Sequence, residues 1–213
     1  MDILIAIGSF ALVALLMTIT PGIDTALVLR TAMRGGRKAA FGAALGIAAG
    51  VLVWGIAAAV GISALLLASE TAYTVVKFAG AIYMLWLGIG MLVSAVRRRP
   101  ADGGPEPAAA GPRGAWGYFR QGFFTNLMNP KVGAFYVALL PQFIPAGATP
   151  ALMGGVLALL HSVQSLAWFA LLILAIGVMR VWLAKPVVQR GVDAVAGTVI
   201  VGFGVGLALS DTG

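Results

Sequence analysis

The sequence predicts an all-α, polytopic membrane protein with six transmembrane helices, arranged as two inverted three-helix repeats. Three observations carry this. The 213-residue chain is 61% hydrophobic and 10% charged, with mean hydropathy +1.01, where an ordinary soluble domain carries about 25% charged residues. Six apolar stretches each reach the roughly 20 residues a helix needs to cross the hydrocarbon core. The basic residues, with two exceptions, fall in alternate gaps between those stretches.

The first stretch runs from Ile3 to Leu29. Its start, Met1-Asp2, has no basic n-region and its apolar run is too long for an h-region, so it is read as a span and not a signal peptide. The second and third run from Ala39 to Ala68 and from Ala72 to Val96. The gap that follows, Arg97 to Tyr118, holds Pro100, Asp102, Gly103, Gly104, Pro105, Glu106 and Pro107 and then a Gly/Ala/Pro run, which is the composition of a flexible loop. It divides the chain into a first half (1–96), a cytoplasmic linker (97–118) and a second half (119–213). The remaining stretches are Phe119 to Ile144, Ala151 to Val178 and Val192 to Ser210.

Orientation follows from charge. Arg30, Arg34, Arg37 and Lys38 follow the first stretch, Arg97, Arg98, Arg99, Arg113 and Arg120 surround the linker, and Arg180, Lys185 and Arg190 follow the fifth. All of the 14 basic residues except Lys77 and Lys131 thus lie on one face, which the positive-inside rule makes cytoplasmic, with both termini outside. Three crossings per half is an odd number, so any repeat between the halves has to be inverted.

Two apolar stretches are interrupted by polar residues and proline. Thr20-Pro21-Gly22-Ile23-Asp24 breaks the first, and Asn129-Pro130-Lys131 breaks the fourth, so each falls on the first helix of its half. Pro21 lies roughly 13 Å from Arg30 along a helix, and Pro130 roughly 15 Å from Arg120, which puts both near the midplane. Thr20 and Asn129 are favourable N-cap residues, and proline is favoured at the first helical position. Each pair is therefore read as the start of a half-helix, aiming its positive end and free N–H groups at one central volume suited to a carboxylate. Broken helices at this depth mark substrate sites in secondary transporters. The competing reading is a pair of proline kinks that serve helix packing.

Charges at this depth are costly, about 2.5 to 3.5 kcal/mol each on insertion scales, and they mark pathways or relays. Asp24 is placed to hold a substrate ammonium or carry a proton, or simply to complement the first turn of its half-helix. Lys131 opposes the dipole of its half-helix and needs a counter-charge, either Asp24 or a bound carboxylate; otherwise it snorkels to water. In the fifth stretch, His161, Gln164, Ser165 and Trp168 share a face at i, i+3, i+4, i+7, as accessory site residues or as interhelical hydrogen bonding. Asn126 and Gln121, with Thr18 and Thr25, carry the same two readings. Gly42, Gly46 and Gly50 form two overlapping G-x-x-x-G steps that let another helix approach closely.

The chain has no cysteine and one histidine, which excludes disulfide scaffolds, thiolate metal sites and c-type haem; no metal and no cofactor is expected. The net charge of +7 resides in short loops between apolar stretches and so indicates topology, with membrane lipid and not nucleic acid as its partner. A homo-oligomer is compatible with the composition.

With these residues in view, the chain resembles the lysine exporter family (LysE/RhtB type) of bacterial amino-acid efflux proteins. The resemblance rests on TPGIDTALVLRTAMRGGRKAAFGAALGIAAG at Thr20 to Gly50, KFAGAIYMLWLGIGML at Lys77 to Leu92, and FRQGFFTNLMNPKVGAFYVALLPQF at Phe119 to Phe143. It implies a six-helix inner-membrane exporter of amino acids or related small metabolites, energised by the proton gradient, with an amino acid as small-molecule partner. The matching site positions are Pro21, Gly22, Asp24, Asn129, Pro130 and Lys131. The chain departs at Ile23, where the family commonly has a second proline.

The alternatives are export of another small solute or a cation, an intramembrane enzyme, and a non-transporting assembly subunit. A lone carboxylate offers too few ligands for a dedicated metal site. Hydrolytic chemistry wants several acids, His or Arg in one cleft, where this reading finds Asp24, Lys131 and His161 at membrane depth. An assembly role leaves two buried charges without a task.

Overall fold

The computed structural model describes residues 2–68, 70–97, 114–183 and 185–209, and among them the chain is helical with no strand. The elements are α1 (Ile3–Ile19), α2 (Ile23–Ala68), α3 (Glu70–Arg97), α4 (Ala115–Leu127), α5 (Pro130–Leu139), a 3-10 turn (Leu140–Phe143), α6 (Pro150–Leu174), α7 (Ile176–Leu183) and α8 (Pro186–Leu209). Among the described residues, three helices are long and apolar enough to cross a membrane: Ile23–Gly61, Pro150–Leu174 and Pro186–Gly206. Large apolar side chains face outward on every side, with Leu4, Trp86, Leu152 and Val187 each more than two-thirds exposed. Such a surface suits lipid and not water.

Several boundaries differ from the sequence expectation, each for a local reason. The basic segment expected as the first loop is helical, and the chain turns at one residue, Gly36, whose φ of 79° and ψ of 176° only glycine adopts readily. Thr20 does not cap the second half-helix. It closes α1, its hydroxyl donating back to Leu16 O at 2.7 Å and its N–H to the same oxygen at 3.1 Å. α2 then starts at Ile23, so Pro21 lies in the break itself. The expected linker falls largely on 98–113, outside the described residues, and 115–118 already form the first turn of α4. The last helix begins at Pro186 and not Val192, which puts Asp193 about two turns inside it.

Glycine sets the packing. Gly46 on α2 lies against Phe119 O and Phe123 N on α4, and Gly122 on α4 lies against Ala43 O on α2, so neither could carry a Cβ without moving a backbone. Along this seam Gly42, Gly46 and Gly50 meet Tyr118, Phe119 and Asn126 in rising order, so the two helices run parallel. α6 runs antiparallel to α2, with Gly55 against Ala158, Ala59 against Gly154, and the Ser162 hydroxyl donating to Ala48 O at 2.9 Å. α3 and α8 are antiparallel through Gly88 and Gly197.

Two apolar clusters result. One gathers Phe10, Phe135, Tyr136, Phe143, Leu140 and Leu157 with neighbours from α1, α2, α5 and α6. The other gathers Leu27, Val28, Ile47, Phe169, Leu172 and Ile173.

Candidate functional site

Between the two clusters lies a polar cavity of about 40 Å³, lined by Thr18, Thr20, Gly22, Asp24, Thr25, Asn126, Asn129, Lys131, His161 and Ser165, with apolar walls from Met17, Ile47, Val51, Val132 and Phe169. Both interruptions meet here. Pro21 and Pro130 create the breaks but are not part of the lining, and Gln164 turns away, its amide donating to Ala11 O at 3.1 Å. A larger apolar cleft of about 420 Å³, bounded by Trp54, Ala79, Met128 and Val137, has no ionisable residue in its walls among the described residues.

Asp24 is the centre of the site. It sits in the first turn of α2, where the helix dipole favours an anion. Its Oδ2 accepts from Asn126 Nδ2 at 2.8 Å and Asn129 Nδ2 at 3.1 Å, both from the second break. Its Oδ1 is buried and has no hydrogen-bond partner among the described residues. A buried acceptor without a donor costs about 1–3 kcal/mol, so this oxygen is matched to something that brings hydrogen with it.

Asn129 also caps α5. Its Oδ1 accepts from Lys131 N at 3.1 Å, and its backbone carbonyl accepts from Val132 N and Gly133 N, so the amino end of α5 is already satisfied. Asn126 is fully buried and fixed from behind: Trp54 Nε1 donates to its carbonyl at 3.3 Å, and Gly50 leaves room for its amide. Lys131 finds its counter-charge at the end of α1, where its ammonium donates to Thr20 O at 3.1 Å and Met17 O at 3.2 Å. A cation is favoured at a helix carboxyl end.

His161 is buried at the cavity wall, with both ring nitrogens engaged. The Thr18 hydroxyl donates to Ala14 O at 2.8 Å, so it accepts from His161 Nε2–H across 3.1 Å. Tyr136 then donates its hydroxyl to Nδ1 at 2.9 Å. The chain Tyr136, His161, Thr18 ends on a backbone carbonyl. Ser165 completes the group, 3.4 Å from the Thr18 oxygen.

Tyr136, Trp54 and the carbonyls of Met17 and Thr20 were not singled out by sequence, and Gly50 was read there only as a packing glycine. A tyrosine six residues past Pro130 in an apolar run was the one available signal, since a buried phenol seeks a polar partner. Asp193, half-buried on α8, adds a second acid whose field reaches Lys131.

The sequence profile of the LysE type translocator family matches residues 15–211 of the chain. The chain belongs to this family. It is therefore a membrane transporter and not an enzyme. It is 30% identical over 201 residues to an uncharacterised membrane protein of Bacillus subtilis, covering 93% of this chain and 96% of that one. It is 29% identical to a threonine efflux protein of Salmonella typhimurium, covering 94% and 96% of the two chains. It is 32% identical to a leucine efflux protein of Klebsiella pneumoniae, covering 92% and 91%. No solved structure matches the chain.

Proposed function

We propose that the protein is a secondary active exporter of amino acids or related small metabolites across the bacterial inner membrane, coupled to protons through Asp24. One observation carries the reading: a buried carboxylate at the meeting of two helix breaks has one oxygen fixed by two amides and the other without a donor among the described residues. The α-ammonium of an amino acid supplies that donor. The substrate carboxylate is read as facing the N–H groups that open α2, since those of α5 are capped by Asn129. The threonine and leucine efflux relatives support an amino-acid substrate.

Transport requires movement. The cavity of about 40 Å³ is far below the roughly 300–1,000 Å³ of a ligand cleft, and members of both apolar clusters line it. The structure is thus read as an occluded state, with the Leu27, Val28 and Phe169 cluster as the cytoplasmic gate and the Phe10, Phe135 and Phe143 cluster as the outer one. Substrate ammonium and proton alternate on Asp24, so that protonation from outside releases the substrate. Parallel α2 and α4, antiparallel α2 and α6, and antiparallel α3 and α8 support six spans in two inverted halves, and the placing of the basic residues supports both termini outside.

The test is efflux from cells loaded with a panel of amino acids as dipeptides, comparing the protein with Asp24→Asn. Outward flux of one or a few amino acids, abolished in an Asp24→Asn variant that still inserts, is expected. Undiminished flux in that variant removes Asp24 from the site, and flux of none of the panel moves the reading to another solute.

A further inference from the structure

Lys131 sits in the first turn of α5, where the helix dipole repels a cation, yet its ammonium is held firmly elsewhere. It bridges Met17 O and Thr20 O, carbonyls that α1 leaves open where it stops. The neighbouring Leu16 O is taken by Thr20 itself. The backbone of the break runs close by, since a Cβ on Gly22 would lie 3.9 Å from Nζ. Asp24, with its bare Oδ1, lines the same small volume. Among the described residues, the charged groups that act on the ammonium are Asp24 on α2 and Asp193 on α8.

Unwound backbone carbonyls at the carboxyl end of an interrupted helix are the ligands that hold a monovalent cation in transporters with broken helices. We propose that the open carbonyls at the end of α1 form a monovalent-cation site, and that the Lys131 ammonium is its permanently tethered occupant. The wild-type protein accordingly needs no free Na⁺ or K⁺ to hold α1 against α5. The functional consequence rests on the exporter reading, whereas the site itself does not.

Replacing Lys131 by alanine empties the site and leaves a channel the length of a propylammonium ion. Thermal unfolding of purified Lys131→Ala is followed against NaCl, KCl and propylammonium chloride at constant ionic strength, with choline chloride as balance. The expected result is a saturable rise in Tm, about 5 °C, with at least one of these cations. Wild type shows no such rise, and Lys131→Met, whose uncharged stem fills the channel, shows none with propylammonium. In transport, the same cation restores efflux by Lys131→Ala at least fivefold.

The proposal is overturned if none of the three cations stabilises Lys131→Ala, or if wild type responds equally. Should Lys131→Ala aggregate in choline, its recovery as monodisperse protein in one of the cations supports the site, and aggregation in all of them overturns it. A wild-type protein that exports no amino acid, beside a cation-responsive Lys131→Ala, would remove the exporter reading and leave the cation site standing.

Discussion

Gly50→Ala tests the site through a residue that touches no substrate. Gly50 is buried on α2, and a Cβ there would lie 2.6 Å from Asn126 Oδ1, 3.0 Å from its Cβ and 3.1 Å from its Cγ. Asn126 cannot retreat by moving its backbone, because Trp54 holds its carbonyl and the Gly46 and Gly122 contacts lock α4 to α2. The amide has to rotate or shift. Either response breaks the 2.8 Å bond from Nδ2 to Asp24 and leaves the carboxylate held by Asn129 alone. A hydrogen bond to a charged group contributes about 1.5–3 kcal/mol, which converts to a roughly ten- to hundredfold weaker site. Overpacking adds about 1–3 kcal/mol against the fold. The control is Gly61→Ala on the same helix, where a Cβ meets nothing within 4 Å. Efflux and thermal midpoint are measured for both variants. Gly50→Ala is expected to lose most of its flux and several degrees, and Gly61→Ala neither. Wild-type flux and stability in Gly50→Ala would refute the claim that Asn126 is held in place to position Asp24.

Two further substitutions probe the frame. Gly36→Ala forces a side chain into backbone angles of 79° and 176° with no steric contact nearby, so it should destabilise by about 1–3 kcal/mol through conformation alone; thermal unfolding reads this. Tyr136→Phe removes the donor to His161 Nδ1 and leaves a buried acceptor without a partner, so thermal stability should fall by an amount corresponding to about 1–3 kcal/mol, and a cycle with His161→Phe should show strong coupling between the two.

Helical, membrane-spanning character was legible because hydropathy reports lipid exposure directly. The meeting of the two interruptions was legible in outline, because proline, asparagine and paired charges in apolar stretches have few other uses. What the sequence did not reveal was the partner of each group. Lys131 was matched to Asp24, to a bound carboxylate or to water, and Asp24 does act on its charge, but its hydrogen-bond acceptors are carbonyls at the end of α1, and backbone groups have no signature in a sequence. Thr20 has the side chain of an N-cap, yet it bonds backward to Leu16, a choice set by where α1 ends. Gly50 was visible as a packing glycine, but its role behind Asn126 depends on the register of α2 against α4, which is a tertiary property. His161 could be placed on the right face of its helix, whereas its bond to Tyr136 required the docking of α5.

The central claim is that the Asp24 carboxylate takes the ammonium of the substrate. The most direct measurement uses purified protein in liposomes and compares counterflow of an exported amino acid with that of its 2-hydroxy acid analogue, identical except that a hydroxyl replaces the ammonium. Counterflow of the amino acid, with none of the hydroxy acid above protein-free liposomes, is the result this account predicts. Equal counterflow of the two would contradict it, because a neutral hydroxyl forgoes the charge attraction of Asp24 and its hydrogen bond to a carboxylate is weaker than that of an ammonium.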